Sequence, residues 1–442
     1  MADQARSLAL IVLVAAARAP GRTIDHFLET ELAQTHLHEA DRRWVTEAVL
    51  GVTRWRLRLD LELATAFRGR LKKAQHALLA ALRLGLYQLR FMDTPSHAAV
   101  HATVESAKRL VPAGAVRMLN GVLRTLERRG SKAFEQSLPT DTVSRLSALG
   151  SHPEWLVKRW IDRYGPESTE ALLAFNNSPP RNWIHLNPGK ASATELEQLA
   201  ADLKVTIEEA PQIANAYSVQ SLDPLINTEL FRNGGFWIQD LAATMVPTLL
   251  PMAANQRILD LCAAPGGKTI RLATLAPPDV EIIASDNNPV RLKRIRNNLE
   301  RLQFAQCRIE QLDILEDELP SADAILLDVP CSGTGVLHRR ADSRWRKQVS
   351  DIETLARLQE QMLDNSWQVL NPGGTLVYST CTLEPEENWD LVRRALARHA
   401  DMQVNPVENS DWEDYVDSDG AFRTRPWIDG LDGMFAVRLR KT

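Results

Sequence analysis

Two cysteines in this 442-residue sequence stand in motifs that could carry out covalent chemistry. Cys331 lies in the segment DVPCSGTG, and Cys381 lies in the segment STCT. A cysteine attacks carbon as the thiolate, and because a free thiol has a pKa of about 8.5, it needs polar or electropositive surroundings to lose its proton. A thiolate so placed can bond covalently to a substrate during catalysis. These motifs therefore predict a nucleophilic thiol.

The other two cysteines lack such a setting. No two of the four cysteines form a C-x-x-C pair, and no histidine is spaced from them as in a zinc site. We interpret Cys262 and Cys307 as small apolar side chains. Free thiols in a reducing compartment are the simplest expectation for all of them.

The elements that must position the motifs lie after Gln239, where strand-like and helix-compatible segments alternate. The strand-like segments are RILDLC, EIIASD, AQCRIEQLD, DAILLDV and TLVYST. This alternation predicts a mostly parallel sheet with helices on both faces. Cys331 follows the fourth strand and Cys381 follows the fifth. Because ligands of such sheets bind beyond the carboxyl ends of the strands, both thiols are expected in one cleft.

A turn of small residues follows the first of these strands. It consists of Cys262, Ala263, Ala264, Pro265, Gly266, Gly267 and Lys268. Small residues would let backbone N–H groups and a helix N-terminus approach a ligand closely. The turn is not G-x-G-x-x-G, and Ala263 replaces the first glycine of a P-loop, which argues against an ATP site. An ordinary strand-to-helix connection is the alternative.

The next three strands each end in a carboxylate, at Asp286, Asp313 and Asp328. Asp286 is placed to accept hydrogen bonds from the two hydroxyls of a ribose. Asp313 could receive an adenine amino group, and Asp328 could face the reacting end of the ligand. Any one of these acids alone would more often be a helix N-cap or a turn residue.

The front of the chain has a different character. Over residues 5 to about 129, apolar residues recur at spacings of three and four, which predicts an all-helical domain. Residues 1–130 hold 20 Lys and Arg against 12 Asp and Glu, a net charge of +8, so residues 131–442 carry −12. A basic excess is expected of a polyanion-binding module, although helical surfaces are often rich in arginine.

The middle of the chain is predicted to be a small α+β domain. Residues 138–153 lose their periodicity and end in proline, so we interpret them as a linker. Beyond them we expect a Trp-rich helix at 154–164, a strand near 183–186 and a polar helix near 193–203. The predicted fold is thus multidomain: residues 1–135 all-α, residues 150–238 α+β, and residues 239–442 α/β.

Composition is that of an ordinary globular protein, with 44% hydrophobic and 24% charged residues. No apolar run reaches the roughly 18 residues that a membrane-spanning helix needs. The short apolar stretch at residues 8–17 follows Asp3, so we interpret it as a buried helix and not as a signal peptide. A cytoplasmic location is expected.

Three motifs together resemble one known family. The segments AAPGGKT, DVPCSGTG and STCTLEPEEN, in that order, are similar to those of the RNA cytosine-5 methyltransferases. The resemblance implies a class I, Rossmann-like methyltransferase fold that uses S-adenosyl-L-methionine. It implies that Cys381 is the nucleophile and that Cys331 assists product release. Many members have alanine where this chain has Val329, a small apolar change.

The same resemblance implies which residues contact the cofactor. They are Cys262, Ala263, Ala264, Pro265, Gly266, Gly267, Lys268, Asp286, Asp313 and Asp328.

The front of the chain also resembles a known domain. Residues 97–109 and 119–123 are similar to the helical RNA-binding domain named after the antitermination factor NusB. This domain joined to such a catalytic core is the arrangement of members that modify small-subunit (16S) ribosomal RNA. The resemblance therefore implies small-subunit rRNA as the partner. We also expect no metal, no membrane partner and a monomeric chain. The basic stretches 54–58, 68–73 and 338–347 are candidate RNA contacts, although each alone is more often a solvated face.

Cytosine methylation explains why a thiol is needed. C5 of cytosine is too weak a nucleophile to take a methyl group until a nucleophile adds to C6. A DNA cytosine-5 methyltransferase would use the same chemistry, but it would place its nucleophile in the P-C motif and would not need Cys381. Two further hypotheses stay open: an enzyme acting on another RNA such as tRNA, and a non-catalytic RNA-binding assembly factor.

Overall fold

The computed structural model describes residues 2–407 and 412–442 of the chain. It divides into two compact units. One comprises Met1–Ser178 and Leu337–Lys347, and the other comprises Pro179–Val336 and Gln348–Thr442. We call them the helical unit and, after the activity that its two cysteine motifs predict, the catalytic unit.

Helices and strands are numbered in chain order. The α-helices of the described residues are α1 Ala2–Arg18, α2 Ile24–Ala33, α3 Glu39–Arg54, α4 Arg56–Ala64, α5 His76–Phe91, α6 Ser96–Ala107, α7 Ala113–Arg129, α8 Lys132–Glu135, α9 Thr142–Gly150, α10 Glu154–Asn177, α11 Ala193–Leu203, α12 Asp223–Ile226, α13 Glu229–Arg232, α14 Leu241–Met245, α15 Gly267–Leu275, α16 Pro289–Leu302, α17 Ser343–Arg346, α18 Val349–Val369, α19 Trp389–Arg398 and α20 Pro426–Asp429. The strands of the same residues are β1 Asn182–Leu186, β2 Ile207–Glu209, β3 Ala216–Val219, β4 Phe236–Ile238, β5 Arg257–Leu261, β6 Glu281–Ser285, β7 Cys307–Glu310, β8 Ala322–Asp328, β9 Leu370–Thr380, β10 Met402–Val404, β11 Phe422–Arg423 and β12 Phe435–Lys441.

The helical unit is built on the apolar faces of its long helices. The apolar stretch at residues 8–17 lies within α1, where Ala9, Leu10 and Val12 are fully buried, which confirms the predicted buried helix. These residues belong to one core with Leu82 of α5 and Leu123 of α7. Within the described residues, no helix is both long and apolar enough to cross a membrane.

The predicted linker at residues 138–153 instead contains helix α9. Asp141 caps this helix by accepting a hydrogen bond from Ser144 N at 2.9 Å. Leu146 and Ala148 are buried, and these contacts are too few to give a periodic pattern in the sequence. The segment is thus an ordered part of the helical unit.

The segment Leu337–Lys347 also belongs to the helical unit, although it follows the Cys331 motif in sequence. Arg344 is only 1% exposed and donates to Asn177 Oδ1 and Asn176 O, each at 2.8 Å. Trp345 Nε1 donates to Thr53 O at 2.7 Å. The prediction that residues 338–347 contact RNA is therefore wrong at Arg344, because its buried guanidinium donates hydrogen bonds within the helical unit.

The catalytic unit contains a small antiparallel sheet in the order β2-β3-β1-β4. Strand β1 and helix α11 coincide with the strand and the polar helix predicted near residues 183–186 and 193–203. Ser192 and Glu195 form a capping box that starts α11. The predicted α+β character of this region is confirmed.

The larger sheet of the catalytic unit has the order β10-β12-β9-β8-β5-β6-β7, with β11 paired to β12. All five predicted strands are present and pair in parallel, as β9-β8-β5-β6-β7. The strands after β9 extend the sheet in antiparallel fashion. The predicted fold class, helical then α+β then α/β, is confirmed.

Candidate active site

The ends of β8 and β9 bring the two cysteine motifs together. The two strands are neighbours in parallel register, with Asp328 opposite Ser379. Cys331 and Cys381 follow these ends, and their Sγ atoms are 3.2 Å apart. The Cys381 N–H also donates to Cys331 Sγ at 3.3 Å. Both thiols are partly exposed at the carboxyl edge of the sheet.

The two thiols share one hydrogen bond, which affects their protonation. This bond with Cys381, together with burial, raises the pKa of Cys331 well above its ordinary value. Cys331 therefore keeps its proton at neutral pH and can act as the donor in the pair.

An ion pair stands beside the thiols at the same edge. Lys268 Nζ contacts Asp328 Oδ2 at 2.7 Å, and Ser379 Oγ donates to Asp328 Oδ1 at 2.8 Å. Burial opposes the charge on the Lys268 ammonium, but Asp328 outweighs it and raises the pKa of Lys268 above its ordinary value. The edge of the sheet thus holds a fixed cation and a fixed carboxylate.

The small-residue turn after β5 leads into helix α15 at Gly267. Gly266 has φ 103°, a left-handed conformation that favours glycine, and a Cβ there would lie 3.2 Å from the Ile295 side chain. Arg291 of α16 donates to Ala264 O at 2.8 Å. The turn is therefore held close to α16, with the N-terminus of α15 at the carboxyl edge of the sheet.

The predicted ligand acids lie at the same edge. Asp286 is 3% exposed, accepts from Asn288 N at 3.0 Å and forms an ion pair with Arg291 at 3.2 Å. Its Oδ2, the oxygen that faces Arg291, is buried and accepts no hydrogen bond from the described residues, so it can still accept one from a ligand hydroxyl. Hydrogen bonds from Leu315 N and Asn287 lower the pKa of Asp313 below its ordinary value, so it stays an acceptor. This donor and acceptor set fits a nucleoside.

The remaining cysteines fit the apolar interpretation. Burial raises the pKa of Cys307 to about 12 and raises that of Cys262 as well. Among the residues that the structure describes, all four cysteines are free, and no cluster of side chains is arranged to hold a metal ion.

Comparison with known proteins covers nearly the whole chain. A family model described as 16S rRNA methyltransferase RsmB/F matches residues 247–440. The NusB family model matches residues 3–128, and a model described as Methyltr_RsmF/B-like, ferredoxin-like domain matches residues 152–221.

Relatives that match over nearly the full length of the chain show the family to which it belongs. The chain is 32% identical over 423 residues to the probable ribosomal RNA small subunit methyltransferase B of Bacillus subtilis strain 168, covering 94% of each chain. It is 34% identical over 420 residues to ribosomal RNA small subunit methyltransferase B of Shewanella oneidensis, covering 92% of this chain and 93% of the relative. The chain belongs to the RsmB/F family of RNA methyltransferases.

A solved structure supports the fold of this RsmB/F family member. The crystal structure of PH0851 covers 99% of both chains with a TM-score of 0.80 at 22% sequence identity. At that identity the likeness concerns the fold alone.

Several residues of this RsmB/F site were not assigned a role from the sequence. Ser379 contacts Asp328, and Glu387 and Asn388 contact the residues that flank the cysteines. All three lie within the segment STCTLEPEEN, so their position in that segment was the available signal. Their contacts depend on the path of the chain after β9, which the residue pattern does not give.

Proposed function

We propose that this RsmB/F family member transfers a methyl group from S-adenosyl-L-methionine to C5 of a cytosine in small-subunit (16S) rRNA. The observation that carries the proposal is the pair of thiols, Cys331 and Cys381, 3.2 Å apart at the ligand-binding edge of the sheet. The names of the two full-length relatives support small-subunit rRNA as the substrate.

Cys381 is the nucleophile in this proposal. Its Sγ forms a bond to C6 of the cytosine, which moves electron density to C5. After C5 has gained its methyl group, a base removes the C5 proton. The electron pair of that C–H bond restores the ring double bond, and the C6–S bond breaks to return Cys381 as a thiolate.

Cys331 assists the release of the product. The raised pKa of Cys331 keeps a proton on its sulfur, 3.2 Å from Cys381 Sγ. A thiol at this distance can stabilise the departing Cys381 thiolate with a hydrogen bond. Removal of Cys331 should therefore affect the last stage more than the first.

The turn and the acids would hold the cofactor. Bound S-adenosyl-L-methionine supplies an electrophilic methyl group on its sulfonium. Asp286 would accept hydrogen bonds from its ribose hydroxyls and Asp313 from its adenine amino group. Asp328 would face the methyl-bearing end. The remaining contacts would come from the turn residues Cys262, Ala263, Ala264, Pro265, Gly266, Gly267 and Lys268.

The helical domain at residues 1–135 would bind RNA. Its basic excess, a net charge of +8 over residues 1–130, supports this role because RNA binding rests largely on phosphate neutralisation. We also propose residues 150–238 and 239–442 as the other two domains.

The experiment measures transfer of labelled methyl from S-adenosyl-L-methionine to unmodified small-subunit rRNA, followed by digestion to nucleosides. We expect label in 5-methylcytidine with the wild-type protein. Cys381→Ala should lower turnover by more than about 1,000-fold, because the covalent step is lost. Binding of S-adenosyl-L-methionine should be retained, because the thiol acts on the base.

Cys307→Ala is the matched control, since Cys307 is the free thiol at the start of β7 and has no role in the reaction. Label in another base, or normal turnover by Cys381→Ala, would contradict the proposal. Cofactor binding without transfer to any RNA would favour a non-catalytic assembly factor.

A further inference from the structure

A buried glutamate lies directly behind the two cysteines. Glu387 ends the 3-10 turn Pro385–Glu387, six residues after Cys381, and is 0% exposed. Its backbone is fixed to the sheet, because Tyr378 of β9 donates through its hydroxyl to Glu387 O at 2.7 Å. The side chain therefore points into the interior of the catalytic unit.

The carboxylate of Glu387 binds both cysteine loops. On the Cys331 side, Ser332 N donates to Oε2 at 2.8 Å and the Ser332 hydroxyl donates to Oε1. On the Cys381 side, the Thr382 hydroxyl donates to Oε1 at 3.1 Å. Ser332 and Thr382 are the residues that directly follow the two cysteines, and their hydroxyls also contact each other at 2.7 Å.

A third partner extends these contacts to the other side of Cys331. Gln359 of α18 donates through Nε2 to Glu387 Oε2 at 2.8 Å and to Pro330 O at 2.9 Å. The backbone on both flanks of Cys331 is thus tied to one carboxylate and its amide partner. Gln359 is itself fully buried.

This arrangement is costly for the fold. Burial raises the pKa of Glu387 above its ordinary value, and the hydrogen bonds from Ser332, Gln359 and Thr382 oppose that rise. No cation forms an ion pair with Glu387 in the described part of the chain. A buried carboxylate compensated only by hydrogen bonds adds little net stability, so stability alone does not account for it.

We propose that Glu387 is a positioning residue that sets the distance between the Cys331 and Cys381 thiols. It does not touch the reacting atoms, and it acts through Ser332 and Thr382. The effect of Glu387 on catalysis rests on the proposed function. The thiol geometry itself can be tested without RNA or cofactor.

The test compares wild type with Glu387→Gln, which keeps the size of the side chain but puts a donor where an acceptor is needed. In the first assay, diamide oxidises the full-length protein, and peptide mapping follows formation of a Cys331–Cys381 disulfide. We expect Glu387→Gln to slow this oxidation roughly tenfold to 100-fold, since small misplacements of reacting groups have effects of that order.

The second assay is methyl transfer. We expect kcat to fall by a similar factor while KM for S-adenosyl-L-methionine stays within about twofold, because Glu387 does not contact the cofactor turn. A merely structural role would change the thermal stability and both kinetic constants together. Thr382→Val removes the same hydrogen bond from the other side, and it should shift both assays in the same direction.

Glu360→Gln is the matched control. Glu360 lies next to Gln359 on α18 and also holds two partners, Arg394 and Arg398, but it contacts neither cysteine loop. This variant should leave the oxidation rate and kcat unchanged.

An unchanged disulfide rate in both Glu387→Gln and Thr382→Val, with both proteins folded, would overturn the positioning role even if the enzyme methylates rRNA. A slowed disulfide rate in a protein that methylates no RNA would support the positioning role and would count against the proposed function.

Discussion

The thiols of Cys331 and Cys381 have different surroundings although their sulfur atoms are 3.2 Å apart. The hydrogen bond with Cys381, together with burial, raises the pKa of Cys331 above its ordinary value, and Cys331 Sγ also accepts a hydrogen bond from the Cys381 N–H. In the proposed reaction, Cys381 attacks the base and Cys331 assists its departure. Single substitutions at the two positions should have different phenotypes.

Cys331→Ala should stall the reaction after methyl transfer, because the departing Cys381 thiolate loses its hydrogen-bond donor. We expect a covalent RNA–protein adduct that survives denaturing electrophoresis. The double variant with Cys381→Ala is the control and should form no adduct. Normal product release by Cys331→Ala, with no adduct, would show that Cys331 has a structural role only.

Asp260 of β5 is a buried acid that precedes the small-residue turn at residues 262–268. It is 0% exposed, accepts from Thr269 Oγ1 at 2.5 Å, and burial raises its pKa to about 7. Because the folded pKa is above the unfolded value of about 4, the associated stability is fully present below pH 4 and is lost as the pH rises through 7.

Asp260→Asn should therefore flatten the decline in the urea midpoint between pH 5 and 7. Over this range the wild-type carboxyl loses stabilisation on the order of a few kcal/mol. Asp313→Asn is the control, because the pKa of Asp313 is lowered and its carboxylate is already ionised throughout this range. A wild-type pH profile that persists in Asp260→Asn would show that another group causes the decline.

The sequence predicts which residues come together at the carboxyl edge of the sheet, but it does not predict their hydrogen-bond partners. The proximity of Cys331 and Cys381 follows from strand order, because the ends of neighbouring parallel strands must meet. The pairing of Lys268 with Asp328 and the contacts of Glu387 depend on side-chain rotamers and on a short 3-10 turn. Neither leaves a periodic signal in the sequence.

Close helix packing in the helical unit gives a prediction for elements α3 and α5. Gly51 of α3 faces the buried ring of Tyr87 on α5, and a Cβ at residue 51 would lie 2.0 Å from Tyr87 Cζ. Gly51→Ala should destabilise the protein by about 1–3 kcal/mol through overpacking. It should also displace the Tyr87 hydroxyl from Glu47, to which it donates at 2.5 Å. The thermal unfolding midpoint reports this destabilisation.

Gly121→Ala is the control for Gly51→Ala. Gly121 also lies within a helix, α7, but a Cβ there would meet nothing within 4 Å. Alanine should raise stability by about 0.5–1 kcal/mol at such a position. Equal effects of the two substitutions would show that helix propensity and not packing dominates.

Long strands were predicted from the sequence pattern, and the shortest helices and strands were not. The five parallel strands are predicted correctly, and four of them, β5, β6, β8 and β9, contain runs of buried residues. Strands β10 and β11 have three and two residues, too few for an alternating pattern to emerge. Helix α9 was predicted as linker for a similar reason, since only one turn of it is buried.

Charge is unevenly distributed along the chain. The structure shows which of the predicted RNA-contact stretches have exposed basic residues. Arg54, in one predicted stretch, is 5% exposed and donates to His338 O at 3.3 Å within the helical unit. Arg58 lies over the Trp55 ring, 5.6 Å from its centre. The stretch 68–73 differs, because its four basic residues are exposed.

Replacing Arg68, Arg70, Lys72 and Lys73 with serine should weaken RNA binding and flatten its salt dependence. Each phosphate interaction that is removed should reduce the slope of log K against log salt by about 0.7–0.9. Filter binding with rRNA between 50 and 200 mM salt, roughly the range in which such slopes are resolved, measures the change.

Arg393, Arg394 and Arg398 of α19 provide the control set. Each of them is ion-paired with Asp or Glu on the same unit. Their replacement with serine should leave the slope unchanged. A slope that does not respond to the 68–73 variant would place the RNA contacts elsewhere.

The helical unit is built from two separate segments of the chain, and these are synthesised at different times. Residues 337–347 complete this unit, and Arg344 donates to Asn176 and Asn177 within it. Domains generally fold as their chain emerges, N-terminal parts first. Here the first 178 residues leave the ribosome long before Arg344 is made. Asn176 O and Asn177 Oδ1 therefore gain their Arg344 donors only after most of the catalytic unit has been synthesised.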